Sequence, residues 1–257
     1  MQVAYKAVRL DKTSHYDQKT KWRAGTIIRP DRVGGADQGP CGNGIHCSPT
    51  LLRAVGLQGG PSLYAVVEPR DIIASDETKM RCESVKVLRW LTQQEQDRLA
   101  GFKLWEANHP INPLMLPGPN QITKAELRHL AKWASVWAGL RDSMEASVEA
   151  SIGDSMWASV WASVWASVWD IVGASVWASM GDSMWASVRA SVWGNVGAYI
   201  GGLFPRIRIW KYAQELGPHP WNPLLRLWYA GIVPSFDGKE WRLHAGPEAA
   251  IIWQGSV

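Results

Sequence analysis

The sequence predicts an α+β protein, in which a small mixed α/β domain and a short helix-plus-hairpin cap flank an array of tetrapeptide repeats. Three observations carry that prediction. Residues 133–204 divide into 18 tetrads without a slip. Ahead of them, short β-patterned runs alternate with helix-start signals. Behind them, an Asp-Gly pair stands between apolar runs, as in a hairpin. The predicted boundaries are a mixed domain over 1–108, a Pro-rich linker over 109–122, the array over 123–204 and the cap over 205–257.

The array reads WASV, WAGL, RDSM, EASV, EASI, GDSM, three further WASV, WDIV, GASV, WASM, GDSM, WASV, RASV, WGNV, GAYI and GGLF. Its fourth position is always apolar, its second is Ala, Asp or Gly, and its third is Ser in 13 tetrads. The first position moves among Trp, Arg, Gly and Glu. Trp, Arg and Gly codons differ by single bases, so the array reads as duplications of a four-codon unit that tolerated drift at that position. The pattern predicts a buried fourth position and an exposed or interfacial first one.

A strict period of four drifts by about 40° per tetrad around an α-helix, so one straight helix cannot keep the stripe inside. Packed short helices satisfy the pattern, and so does a β-solenoid whose coil is a multiple of four residues. Helices are favoured by a capping box at Thr123 and Glu126. They are favoured too by the helical spacing of Leu127, Leu130, Trp133, Trp137, Leu140, Met144, Val148 and Ile152, with Arg141 and Glu145 placed as an i,i+4 ion pair. Gly153 ends this run, and the Gly-Asp-Ser sequences at 153 and 181 place a C′ glycine directly before an N-capping residue.

In the first domain a strand is predicted near Val3 to Leu10. Ser48 and Pro49 then open a helix that Gly56 stops. Strands follow at Ser62 to Glu68 and Ser84 to Leu91, and Thr92 with Glu95 forms a second capping box. In the cap, Asn222 and Pro223 open a helix ended by Gly231. Asp237-Gly238 supplies a type I′ turn before Glu240 to His244, with a further strand at Ala249 to Trp253. Arg242 and His244 are minor binding candidates there.

The segment Gly44-Ile45-His46-Cys47-Ser48-Pro49 and its following helix resemble the front domain of a family of uncharacterised phage repeat proteins. Val233-Pro234-Ser235-Phe236-Asp237-Gly238 is similar to the ending of the same family. More weakly, 63–69 and 81–88 resemble the C-terminal half of small rifamycin-type ADP-ribosyltransferases, although Tyr5-Lys6-Ala7-Val8 stands where that family has a His-Gly-Thr turn. That second resemblance implies a nicotinamide pocket lined by Tyr5 and His46, with Glu68 or Asp71 as the acidic group and His46 and Glu68 as the catalytic candidates. The bland reading makes Glu68 a strand-end surface residue and His46 a satisfied loop histidine.

Cys41, His46, Cys47 and Cys82 hold zinc-type chemistry, but adjacent residues on an extended strand point opposite ways, so no metal site is expected. No phosphate loop or nucleophile elbow is present, and no cofactor is expected. Three cysteines and the absence of an apolar leader suit a cytoplasmic setting, in the host cell if the gene is a phage's. The positive charge sits in residues 1–132, which carry 19 Lys/Arg against 13 Asp/Glu, but no nucleic-acid motif accompanies it. Serine in nearly every tetrad dilutes the hydropathy, against a membrane role. The preferred function is a non-catalytic interaction protein whose array presents or spaces a binding surface, through Trp157, Trp161, Trp165, Trp169 and Arg189, to a protein partner or to a second copy. The alternative is an NAD-binding or ADP-ribosyl-transferring enzyme with the array as a targeting arm.

Overall fold

A computed structural model describes residues 2–58, 62–140, 143–153, 160–161, 164, 170–178 and 185–257. The protein is a mixed α/β chain with antiparallel sheets that do not close. It divides into two compact units, Met1–Asn108 and His109–Val257.

The first unit holds strands β1 (Ala4–Val8), β2 (Ile27–Ile28), β3 (Ile45–Cys47), β4 (Leu63–Ser75) and β5 (Met80–Trp90), with helices α1 (Leu51–Gln58), α2 (Gln93–Ala100) and α3 (Leu104–Asn108). The long β4–β5 hairpin is its centre, with β1 on the free edge of β4 and both β2 and β3 on the other edge of β5. Asp76 makes the hairpin turn, its Oδ1 accepting the Thr78 amide at 2.7 Å and the Lys79 amide at 2.9 Å. A single bridge, Tyr5 with Ser48, ties β1 to the residue after β3. Val8, Ala65, Val67, Cys82, Val85 and Val87 are core residues fully shielded from solvent, and Trp22 is folded in beside them.

The predicted capping box at Thr92 forms, and Gly101 closes α2 in the left-handed region at φ +82°. Two expectations for this unit need correction. Gly56 lies inside α1 and does not stop it. Strand β4 runs on past Glu68 to Ser75 and β5 begins at Met80 rather than Ser84, because Pro69 and the charged residues Arg70, Asp71 and Arg81 break the apolar pattern that marked the predicted strands.

The second unit holds α4 (Lys124–Leu140), α5 (Met144–Ile152), α6 (Asp170–Ala178), α7 (Trp185–Gly202) and α8 (Asn222–Tyr229), followed by β6 (Ile232–Phe236), β7 (Trp241–Ala245) and β8 (Ala250–Gly255). None of the array's described residues is in a strand, and no solenoid is present among them. Helix α7 is the hub, packing on α5, α6, α8 and β6, while α4 packs on α8. The stretch 109–122 belongs to this unit: Pro113–Met115 lies against β6 and β7, and Tyr199 Oη of α7 accepts the Ile111 amide at 3.1 Å.

The fourth-position reading holds. Val136, Leu140, Met144, Val148, Val160, Val164, Val172, Val176, Val188, Val192, Val196, Ile200 and Phe204 are all buried, with Ile152 half-buried. The helix expected to run on to Ile152 ends at Leu140, and α5 starts afresh at Met144, which resets the drifting stripe. Gly153 closes α5 at φ +86° with its amide bonded to Glu149 O. Arg141, and most of both Gly-Asp-Ser junctions, lie outside the described residues.

In the cap Gly238 takes φ +99° while Asp237 does not take a positive φ, so the turn is not type I′. Asp237 instead accepts the Lys239 and Glu240 amides on its side chain, at 2.7 and 2.8 Å.

Candidate interaction surface

Third-position serines leave α5 and α7 at i and i+4, on one face of each helix. In α5, Ser147 Oγ donates to Lys211 O, and Ser151 Oγ accepts the Lys211 amide at 3.0 Å. Both polar groups of one non-helical residue are therefore held by two hydroxyls one helical turn apart. In α7, Ser191 Oγ accepts the Phe236 amide at 3.0 Å, and Asn195 Nδ2 donates to Pro234 O at 2.6 Å. Strand β6 is the edge of its sheet, with β7 on its other side, so these are the edge groups that would otherwise be orphaned. The next member of the column, Ser187, has its Oγ 3.3 Å from where a Cβ would sit on Gly238. Two helices of the array thus use one device, a column of short polar side chains that satisfies backbone groups, those of a turn residue at Lys211 for α5 and those of the edge of β6 for α7.

The first position behaves differently from expectation at the start of the array. Trp133 and Trp137 are buried, at 0% and 4% exposure. They are not surface residues, because Trp137 lies on the bare backbone of Gly194 in α7. Further along, first positions meet each other. Trp193 Nε1 donates to Glu145 Oε2 at 2.9 Å, and Trp161 lies 5.4 Å from the Trp193 ring at 45°. Trp161 is half-buried by that contact and Arg189 is exposed. Trp157, Trp165 and Trp169 lie outside the described residues. In the last tetrads the first position is Gly197 and Gly201, and the cap supplies the missing indole, since a Cβ on Gly201 would lie 2.5 Å from Trp221 Nε1. Trp221 packs edge-on to Trp210 at 5.1 Å, and Trp228 stacks on Tyr199 at 5.0 Å.

The enzyme candidates sit in the first unit. Tyr5 is on β1 opposite Val66, and Glu68 is two residues further along β4. Glu68 Oε2 pairs with Arg70 at 3.2 Å, which matches a strand-surface role. Asp71 is exposed and takes a left-handed φ of +51° next to the β4 irregularity. His46 is half-buried on β3 between the core residues Ile45 and Cys47, and its Nε2 has no hydrogen-bond partner among the described residues. Burial, with Lys6, Lys79 and Arg81 nearby, holds its pKa below the usual histidine value. No hydrogen bond or ion pair joins Tyr5, His46 and Glu68 among the described residues.

The cysteines separate. Cys47 and Cys82 are buried with their sulfurs 4.0 Å apart, and that contact together with burial pushes the Cys47 thiol up. Cys41 is exposed beside Lys79. Among the described residues no group of three or more His, Cys, Asp or Glu could hold a metal ion.

Arg242 and His244 of the cap are interior. Arg242 pairs with Asp237, and His244 is fully buried between Ser235 Oγ at 2.8 Å and Ala249 O at 2.9 Å. Serine in a helix reads as neutral, so the regular third-position recurrence was the signal that could have marked the serine column. Among the described residues no helix is long and apolar enough to cross a membrane. Comparison with family models, with curated proteins and with solved structures finds no match to this chain.

Proposed function

We propose that the protein is a non-catalytic, phage-type interaction protein of the host cytoplasm, in which the tetrad array holds polypeptide in extended form. The observation that supports this reading is the twice-used column, Ser147 and Ser151 on Lys211, and Ser191 and Asn195 on the edge of β6. A helix face that satisfies strand-edge groups is a backbone reader, tolerant of the bound sequence, and tetrad duplication lengthens it in register. Trp161 and Arg189 at the first position supply the side-chain anchors that backbone pairing lacks.

The test is a screen of the intact chain against immobilised extended decapeptides, repeated with Trp161→Ala and Arg189→Ala, alongside calorimetric titration with NAD. Peptide binding weakened about tenfold by each change, a loss typical of hot-spot residues, is the expected result. Binding indifferent to both changes sinks the reading, and saturable NAD binding replaces it with the enzyme alternative.

A further inference from the structure

Lys79 and Cys41 meet in the first unit although they stand 38 positions apart in the chain, with Lys79 Nζ 2.7 Å from Cys41 Sγ. That separation is short even for an N–H···O bond, and sulfur is the larger atom. Cys41 is exposed and Lys79 is half-buried, so an oxidant reaches the contact from solvent. The other two thiols, Cys47 and Cys82, are buried against each other.

Both backbones are fixed close to the contact. Arg81, fully buried on β5 just beyond Lys79, donates to Gly34 O at 3.0 Å, Gly35 O at 2.7 Å and Asn43 O at 3.1 Å. The loop that carries Cys41 is thereby gripped on both sides of the thiol. Lys79 closes the β4–β5 turn, its amide donating to Asp76 Oδ1 at 2.9 Å and its carbonyl accepting the Asp76 amide at 3.0 Å. Sulfur and nitrogen are therefore held together without a search, the condition under which an intramolecular step gains most from proximity. Exposure beside a cation is also the setting in which a cysteine oxidises.

We propose that Cys41 and Lys79 form an oxidative crosslink, one oxygen atom bridging Sγ and Nζ, with dioxygen as the oxidant. One S–H and one N–H bond break, and an S–O and an O–N bond form. Sulfur and nitrogen each lose two electrons. The four electrons reduce dioxygen, one of whose oxygens becomes the bridge while the other leaves as water with the two hydrogens. An S–O and an O–N bond meeting at an ordinary angle span about the separation already present, so neither backbone has to move. The link fastens the loop to the hairpin turn. It lies in the first unit and does not depend on what the array binds.

The experiment incubates the full chain in air-saturated buffer, keeps a second sample under argon with dithiothreitol, and compares intact masses and tryptic maps. The expected species has gained one oxygen and lost two hydrogens. In it the peptides carrying Cys41 and Lys79 are joined, and cleavage after Lys79 is lost. Dithiothreitol should restore the parent mass. Lys79→Arg keeps a cationic donor beside the sulfur, yet it should abolish the species, as should Cys41→Ser. A link that carries no oxygen overturns the bridging atom. Cys41 oxidised to a sulfinic acid, or paired with a second chain in a disulfide, with Lys79 still cleaved, overturns the site, and so does a mass unchanged by air.

Discussion

Trp137 and Gly194 fit so closely that a Cβ on Gly194 would lie 2.2 Å from Cζ3 of the Trp137 ring and 3.3 Å from Met144 Sδ. The ring is buried and rigid, so it cannot yield as the end of a flexible chain would. Gly194→Ala should destabilise the second unit by about 1–3 kcal/mol, the usual cost of overpacking, despite alanine's better helix propensity. Gly139 is the control, exposed on α4 with nothing within 4 Å of its would-be Cβ. Gly139→Ala should stabilise by about 0.5–1 kcal/mol. Urea titration followed by tryptophan fluorescence separates the two signs, and equal effects would refute the close fit.

Ser191 is 1% exposed and its hydroxyl is the acceptor for the Phe236 amide. Ser191→Ala leaves that part-buried amide without its acceptor, at a cost of about 1–2 kcal/mol. Ser135 occupies the same tetrad position, but it is exposed and bonds Ala131 O of its own helix. Ser135→Ala should fall within about 0.5 kcal/mol of the parent. Hydrogen exchange at the Phe236 amide should accelerate in the first variant alone.

These pairs also show what the sequence could reveal. The buried fourth position was legible because a period of four admits few backbones, and the breaks at Leu140 and Gly153 fall where the drifting stripe needs resetting. At Trp137 the expected exposure fails because the ring packs on Gly194 of α7, a residue far away in sequence that no local pattern announces. Strands β2 and β3 span two and three residues, too short for alternation to register. A lysine in an exposed strand and a lysine in a core strand are spelled alike until Trp22 is known to lie beside it.

His244 makes the cap sensitive to acid. Ala249 O can only accept, so Nδ1 carries the proton and Nε2 accepts from the Ser235 hydroxyl, which fixes the neutral ring. Burial pushes its pKa down from 6.5 to about 4. The unfolded chain therefore binds a proton between those values and the folded chain does not. The stabilisation is complete above pH 6.5 and is lost as pH falls towards 4, by up to on the order of 3 kcal/mol. His244→Gln should flatten stability against pH in this window. An unchanged slope in the variant would mean that other groups carry the acid sensitivity.

Lys6 predicts a gain from removal. Its pKa falls from 10.5 to about 8 on folding, so the unfolded chain holds the extra proton between these values. Stability from the neutral amine is present above pH 10.5, is lost as pH falls through 8, and is absent at neutral pH, where the cation must sit against Trp22. Lys6→Met keeps the length and apolar stem and removes the charge. It should raise the stability of the first unit at pH 7 by about 1–2 kcal/mol, discounted for partial exposure, and the gain should shrink as pH rises above 8. Denaturation of both chains at neutral and alkaline pH measures the difference directly. A loss of stability at pH 7 would mean that the ammonium is compensated in the folded state.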